Sequence, residues 1–423
     1  MNRKLTFLTI FTAGFLCLSL TAPVQSVQAE DNDADLYPVA GHRAEVFDDN
    51  IWVVGGSEDI DDSSLYYDKV AYSRRGYNWD IMDNIPYSPR MYPGLEAYDG
   101  DLYMFGGGVQ DDGTLTDVYS DVWKMNENHD WTEVTSSAPW PDRYGMGTVV
   151  YEDNMWLMGG NDGSQDRGDV WTTDNGENWS QVTEDAPWEN RRLFGAEVFK
   201  GKIWVFSGGS PSDAYLDAWY SNDGKNWTNS IEDVTDQGIL GAVYLQHKDR
   251  IWVISGSDEE EGGPTDKVEF TWGDDNYSYY EDYHHAEFEP RQWADGVTKD
   301  GRMFVIGGRL KEASWATTGE VWGSRDGKAW WNITAGEQAP VETTPRDEPT
   351  KEPHEVFMAF VGIGFGLIAM GLGYGISKGT SPLLAIIFLN IGLLGAHIFE
   401  MVSIEVIIAG FVGLLLMLVR RAS

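Results

Sequence analysis

Four arginines occupy one position of a repeated pattern, and their side chains could hold an anion. Each lies 16 residues before the first of two adjacent glycines that end an apolar run; the four are Arg90, Arg143, Arg192 and Arg291. Equal offsets in a repeat place side chains at equivalent points of the fold. Guanidinium groups bind carboxylate or sulfate in a bidentate manner, so the pattern predicts a site for an acidic ligand such as an acidic sugar. The alternative is that each arginine pairs with an acidic residue of the adjacent repeat.

A second candidate is the stretch rich in tyrosine and histidine that runs from Tyr277 to Arg291. We expect Tyr279, Tyr283 and His284 to contact a ligand, because aromatic faces with hydrogen-bonding tips suit sugar rings. A metal is disfavoured there, because adjacent histidines on a strand point to opposite faces. An ordinary surface loop remains the alternative.

Calcium is a weaker possibility at two acidic stretches. The sequences "DNDADLY", residues 31–37, and "NDGSQDRGD", residues 161–169, offer clustered oxygen atoms. Neither has the D-x-[DN]-x-[DN]-G spacing that makes a calcium loop recognisable. We therefore assign no catalytic residue, no metal ligand and no cofactor.

The glycine pairs belong to a longer repeat that must position these side chains. Apolar runs such as "NMWLMGG" recur at spacings of 47 to 53 residues, and their second glycines are Gly56, Gly107, Gly160, Gly209, Gly256 and Gly308. Each run is followed by a short strand such as "DVW", a turn containing Asn-Gly or Asp-Gly, and a further strand with an aromatic residue. Strands joined by such turns predict antiparallel units of four strands. Six such units arranged radially make a β-propeller.

This pattern resembles the kelch repeat over residues 38–335. The kelch family is marked by an apolar run into Gly-Gly and by an aromatic residue on each of the two following strands. The resemblance implies an all-β, six-bladed propeller but no particular activity, since propellers host many functions. Ser255 and Glu269 depart from the pattern, so blade five is expected to be the least regular. No strand before residue 38 is evident that would close the ring. Turns such as "TTDNGENW" also resemble the Asp-box of sialidases, a structural hairpin in that family.

The rest of the chain is predicted to export and anchor the propeller. Residues 1–29 have the charged start, apolar run and small-residue cleavage site of a signal peptide, which leaves the propeller in residues 30–335. Residues 336–354 form a Pro/Thr/acidic linker. Residues 355–423 contain three apolar runs long enough for transmembrane helices. Lys378, Arg420 and Arg421 favour a cytoplasmic C-terminus and an extracytoplasmic propeller.

Charge and cysteine content exclude several functions. Nearly all of the formal charge of −38 falls on residues 30–335, a surface that repels nucleic acid. Cys17, the only cysteine, lies in the signal region. The mature chain therefore lacks the cysteine–tyrosine cross-link of galactose oxidase, a kelch enzyme. The leading interpretation is a membrane-anchored recognition or adhesion module for a glycan or protein partner. The alternatives are a carbohydrate-active enzyme similar to kelch-type sialic acid mutarotases, and the sensor subunit of a membrane transporter or signalling complex.

Overall fold

A computed structural model describes residues 34–210, 214–215, 217–231, 239–258, 263–271, 285–311 and 316–337. The predicted signal peptide and transmembrane helices, and nearly all of the predicted linker, lie outside these ranges. Within the ranges, no helix has the length and apolar character needed to cross a membrane. The only helical element described is a 3-10 turn at Ser63–Leu65.

The described chain forms strands in six consecutive groups, as the repeat predicts. The first two blades are β1 Ala40–Phe47, β2 Asn50–Ser57, β3 Lys69–Ser73, β4 Asp80–Asp83, β5 Gly94–Tyr98, β6 Asp101–Asp111, β7 Thr114–Met125 and β8 Trp131–Thr135. Blades three and four are β9 Gly147–Tyr151, β10 Asn154–Met158, β11 Val170–Thr173, β12 Ser180–Thr183, β13 Gly195–Phe199, β14 Lys202–Phe206, β15 Ala218–Ser221 and β16 Trp227–Ile231.

The last two blades carry additional short strands. Blade five contains β17 Ile239–Leu240, β18 Val243–His247, β19 Arg250–Ile254, β20 Ser257–Asp258, β21 Gly263–Pro264 and β22 Val268–Thr271. Blade six contains β23 Arg291–Gln292, β24 Asp295–Lys299, β25 Arg302–Ile306, β26 Arg309–Leu310, β27 Val321–Ser324 and β28 Trp330–Asn332. The main sheet of blade five has three strands in the described chain, while the main sheets of the other blades have four.

Each main sheet is antiparallel, and its first strand faces the axis of the ring. The innermost strands β1, β5, β9, β13, β18 and β24 contact one another in sequence, and β24 contacts β1. Alternate side chains of neighbouring sheets interdigitate, as stacked sheets require. Every pair of neighbouring blades therefore shares an apolar core, and the core between blades six and one includes Phe304, Ile306, Ile51 and Val53.

The glycine pair makes the junction between one blade and the next. The N–H of one junction glycine in each blade donates to a carbonyl of the following blade at 2.8–3.3 Å; the bonds are Gly56 to Arg90, Gly107 to Arg143, Gly160 to Arg191, Gly208 to Ile239, Gly256 to Arg291 and Gly308 to Val39. Gly160 has a φ of +92°, and a Cβ atom there would lie 2.9 Å from the Tyr144 carbonyl oxygen. Only glycine combines this conformation with so close an approach.

The ring closes through a short segment rather than through an exchanged strand. All strands of blade six come from residues 291–332, and no strand from the N-terminal side joins its described sheets. Val39 donates its N–H to the Thr318 carbonyl at 3.0 Å and accepts from Gly308 at 2.8 Å. Leu36 is buried in the core between blades six and one. These contacts join the first blade to the last.

Candidate functional site

Three of the predicted arginines lie at equivalent positions, but their guanidinium groups are buried inside their own blades. Arg90, Arg143 and Arg291 are at most 1% exposed. Arg143 donates to the Gly159 carbonyl at 2.7 Å and to both carboxylate oxygens of Asp169 at 2.7 and 2.8 Å. Arg90 makes the same bonds to Gly106 and Asp121, and Arg291 pairs with Glu320 at 3.0 Å. These guanidinium groups hold strand segments of one blade together.

The fourth equivalent arginine is Arg191, not Arg192. Arg191 donates to the Ser207 carbonyl and pairs with Asp217 at 2.6 Å, as its counterparts do. In blade four the junction residues are therefore Ser207 and Gly208, one residue earlier than the Gly208-Gly209 spelling indicates. Ser207 tolerates the required φ of +50°, because the first junction position is less extreme than the second. The prediction that Arg192 occupies the equivalent position was therefore wrong, because the equivalent arginine is the preceding residue.

The acidic partners of these arginines belong to the repeat as well. Asp121, Asp169, Asp217 and Glu320 each accept a bond from the indole N–H two residues later. Burial alone raises the pKa of Asp169, but the bonds and charge of Arg143 outweigh burial and lower it below the ordinary value. The predicted convergence of the four arginines at the channel mouth is not observed, and neither is the alternative, pairing between adjacent blades. Each arginine–acid pair lies within a single blade.

The aromatic and histidine-rich stretch is described only in part. Tyr279, Tyr283 and His284 lie outside the described residues. Of their neighbours, His285 lies 2.5 Å from Asp266, and Glu287 accepts a bond from the backbone N–H of Trp330 at 2.9 Å. A ligand-binding role for the three residues stays a prediction.

In the possible calcium loop at residues 161–169, the carboxylate oxygens already accept hydrogen bonds from groups of the same loop. Oδ1 of Asp162 accepts from the N–H of Ser164 and Gln165, each at 2.8 Å, and Oδ2 accepts from Arg167 at 2.7 Å. Asn161 donates to Asp166 at 2.7 Å. This arrangement gives calcium no support at this loop. No cluster of three metal-ligating side chains suited to a metal ion occurs in the described part of the chain. In the other acidic stretch, residues 31–33 lie outside it.

A closed circle of six backbone hydrogen bonds surrounds the axis beside the innermost strands. Each residue donates to its counterpart in the neighbouring blade at 2.6–3.2 Å, around the circle Gly41, Trp293, Gly241, Leu193, Gly145 and Tyr92. All six have a positive φ, including Tyr92 at +47°, Leu193 at +52° and Trp293 at +57°. Such conformations are strained for residues other than glycine, and they concentrate at functional sites. We call this circle the axial ring.

Side chains beside the axial ring form a mixed aromatic and cationic surface, which we call the mouth: Tyr92, Tyr144, Arg192, Trp293 and Arg309. Arg192 donates to the Tyr144 hydroxyl at 2.8 Å, and Arg309 lies over the Trp293 ring at 5.6 Å. The rings of Tyr92 and Tyr144 are 6.4 Å apart. Arg192 lies 3.8 Å from Asp166 and Arg309 lies 3.1 Å from Asp61, but unlike the four buried arginines they keep side-chain exposures of 22% and 16%. Arg192 is therefore the predicted arginine that reaches the mouth.

The innermost strands enclose a cavity of about 390 Å³ along the axis. Its charged lining consists of Arg43, Glu45, Glu96, Glu197 and Asp295, and we call these carboxylates with Arg43 the cavity cluster. Asp295 accepts a bond from the Ala44 N–H at 2.8 Å and lies 3.9 Å from Arg43. Between the axial ring and the cavity is a narrower neck of about 40 Å³, lined by His42 and Arg43 among others.

The cavity shifts the titration of its acids. Burial raises the pKa of Glu45 to about 8 and that of Glu96 to about 7, and each is also raised by a neighbouring carboxylate. Burial likewise raises the pKa values of Glu197 and Asp295. In the neck, burial and the charge of Arg43 lower the pKa of His42 to about 3, so its imidazole is neutral at physiological pH.

The cavity cluster was not predicted from the sequence, although a signal for it is present. Glu45, Glu96 and Glu197 each lie 10 residues before the first junction residue, where the other blades have Val149, Leu245 and Val297. Equal offsets of acidic residues on innermost strands indicate one level of a central channel.

Comparisons with known proteins agree with this architecture. The sequence profile of the KLHDC2/KLHL20/DRC7 Kelch-repeats domain matches residues 41–256. N-acetylneuraminate epimerase of Escherichia coli O1:K1 is 27% identical over 161 residues, which cover 38% of this chain and 39% of that protein. The epimerase of strain K12 is 26% identical over the same length. The chain thus spans well under half the length of these relatives. A solved structure titled "Structure of YjhT" superposes with a TM-score of 0.57 at 16% identity, covering 70% of this chain and 97% of the other.

Proposed function

Because the chain belongs to the kelch-repeat family, which uses one propeller for many purposes, we propose a function from the mouth. The propeller is a recognition module that binds an acidic saccharide or a similar carboxylated partner there. The observation that carries this proposal is the pair of partly exposed arginines, Arg192 and Arg309, beside the ring of Trp293 and the hydroxyl of Tyr144.

Each part of the mouth suits such a ligand for a physical reason. Guanidinium groups donate in a fixed fork that matches a carboxylate. An aromatic face supports the apolar side of a sugar ring. The positive φ angles of Tyr92, Leu193 and Trp293 are held by the axial ring, so the backbone beneath the mouth is preorganised. Preorganisation reduces the entropy lost on binding.

We further propose that the module is displayed outside the cell by the three apolar runs of residues 355–423. The signal-like residues 1–29 and the positions of Lys378, Arg420 and Arg421 support this orientation. External protease on intact cells should remove the propeller and leave a tag at the C-terminus intact. Protection of the propeller, with loss of the tag, would refute the orientation.

A second candidate function is epimerisation or ring opening of a sugar, favoured by a specific observation. The curated relatives are named N-acetylneuraminate epimerases, and Glu45 and Glu96 have pKa values of about 8 and about 7. A carboxyl group that titrates near neutral pH can both donate and accept a proton. Incubation of the full chain with N-acetylneuraminate, followed by NMR of its anomers, tests this alternative directly.

The recognition proposal is tested by binding of the full-length chain in detergent to an array of acidic and neutral glycans. We expect binding to glycans bearing glucuronate or N-acetylneuraminate, and its loss in Arg192→Ala and Arg309→Ala. Arg74→Ala is the matched control, because Arg74 is a 71% exposed arginine paired with Asp49 in the turn between β1 and β2. Equal binding by all three variants would refute a ligand site at the mouth.

A further inference from the structure

The cavity cluster has more acidic than basic groups. Four carboxylates, from blades one, two, four and six, face one guanidinium, that of Arg43. Of the four, Asp295 forms an ion pair with that guanidinium, at 3.9 Å. Glu45 accepts one bond, from the N–H of Val46 at 3.0 Å. Ionised carboxylates withdrawn from water need a partner or a proton. The cavity therefore holds more acids than the single basic side chain can neutralise, and the remainder favour their protonated forms.

Two buried polar side chains near the axis, outside the acidic set, also lack hydrogen-bond partners among the described residues. Thr148 is 4% exposed and lines the cavity; its hydroxyl lies beside Glu96 yet makes no hydrogen bond of good geometry with the described residues. His42 is 2% exposed and lines the neck, and neither of its ring nitrogens has a partner there. Buried polar atoms are normally paired, so unpaired ones mark a place for water or a ligand.

The size and walls of the cavity decide what kind of positive ligand fits. Its volume of about 390 Å³ is that of a small-molecule pocket rather than of a single ion. The carboxylates do not form a group of three that could share a metal ion. Phe194 and Tyr244 contribute aromatic wall, which is attractive to organic cations. Glu197, on blade four, lies across the axis from Glu45 on blade one.

We propose that the axial cavity binds a compact organic cation with two ammonium groups. One ammonium group is held by Glu45 and Glu96, and the other by Glu197. The Thr148 hydroxyl accepts from, or donates to, the ligand beside Glu96. This site differs from the mouth in position, in charge and in ligand class, so it does not depend on the recognition proposal.

Binding is coupled to the loss of protons. When the cavity is empty, Glu45, with a pKa of about 8, is largely protonated at neutral pH, and Glu96, with a pKa of about 7, is protonated in part. A dication favours their ionised forms, so each binding event releases protons. The other groups that face these acids are Arg43, Glu197, Tyr244, Asp295 and the neutral His42. Affinity for the dication rises from pH 6 to pH 9 as the acids ionise.

The test is calorimetric titration of the full-length chain in detergent with 1,4-diaminobutane, in buffers of different ionisation enthalpy. We expect saturable binding with one ligand per chain, proton release and tighter binding at pH 8.5 than at pH 6.5. Glu197→Gln should weaken binding about tenfold, because it removes one charge-assisted contact. Glu133→Gln, at an exposed position of strand β8, should leave it unchanged.

Several results would overturn the proposal. Absence of heat and of thermal stabilisation at pH 8.5 would do so, as would equal binding of 1,4-butanediol. If Ca²⁺ binds and 1,4-diaminobutane does not, the cavity is a metal site and the proposal is refuted. If Glu197→Gln melts well below the parent chain, Glu96→Gln serves as the second variant, and unchanged affinity in it would refute the site.

Discussion

The blade junctions and the axial cavity both bury ionisable side chains, but they treat the charge in opposite ways. At the junctions, Arg90, Arg143, Arg191 and Arg291 each meet one acid of their own blade in bonds of 2.5–3.0 Å. In the cavity, four carboxylates share a single guanidinium. A matched buried pair is complete within the protein, whereas an unmatched set leaves charge for a proton or ligand to neutralise. The repeat therefore supplies structural ion pairs within the blades and a candidate binding site at the axis.

The largest expected effect is the loss of one junction pair. Arg143→Ala leaves the Asp169 carboxylate buried without its partner, and should lower the free energy of unfolding by about 3–5 kcal/mol. Chemical denaturation of the full chain measures this effect. Arg74→Ala breaks an exposed pair with Asp49 and should change the free energy of unfolding little. Comparable losses in the two variants would contradict the structural role given to Arg143.

A smaller loss is expected from the junction glycine that closes the ring. Gly308 has a φ of +102°, and a Cβ atom there would lie 3.0 Å from the Cβ of Ala294. Gly308→Ala should therefore destabilise the propeller by about 1–3 kcal/mol through backbone strain. Ser207→Gly, at the more permissive first position, is the matched control and should change the melting temperature little. A neutral Gly308→Ala would show that the closing contact to Val39 tolerates rearrangement.

The cavity should make stability depend on pH. Folding raises the pKa of both glutamates above the ordinary value, to about 8 for Glu45 and about 7 for Glu96. The folded state therefore binds more protons than the unfolded state. Their contribution is complete below about pH 4 and is lost as the pH rises toward 8. We expect the melting temperature to fall across this window, and to fall less steeply in Glu45→Gln. Identical slopes in the parent chain and the variant would remove the cavity acids as the cause.

The smallest effect on stability belongs to the mouth. The side chain of Arg192 is 22% exposed and lies 3.8 Å from Asp166, a longer contact than the junction pairs make, so Arg192→Ala should cost less stability than Arg143→Ala. The same variant should lose binding to acidic glycans on the array. A large loss of stability would place Arg192 with the scaffold arginines instead. Small stability loss with complete binding loss would sharpen the distinction between scaffold and site.

Much of the fold could be predicted from the sequence because the repeat encodes local geometry. The glycine pairs, the Asn-Gly and Asp-Gly turns and the aromatic strands identify six blades without any long-range information. The equal offsets of Arg90, Arg143 and Arg291 correctly predicted equivalent positions. They did not indicate a destination, since an arginine at the start of an inner strand can face the channel or turn into its own sheet. Because the junction of blade four begins at Ser207 rather than at Gly208, the sequence pattern also indicated Arg192 where the structure has Arg191.

The sequence by itself determined the number of blades, their order and the need for glycine at each junction. These properties follow from local backbone conformation and short-range turns. Only the tertiary structure decided which charges meet: Asp169 is 26 residues from Arg143, and Asp295 is 251 residues from its Ala44 donor. Only the tertiary structure, likewise, brought Glu45, Glu96 and Glu197 around one axis. The reason is physical: pairing and burial depend on contacts between distant segments, and closure of the ring creates both at once.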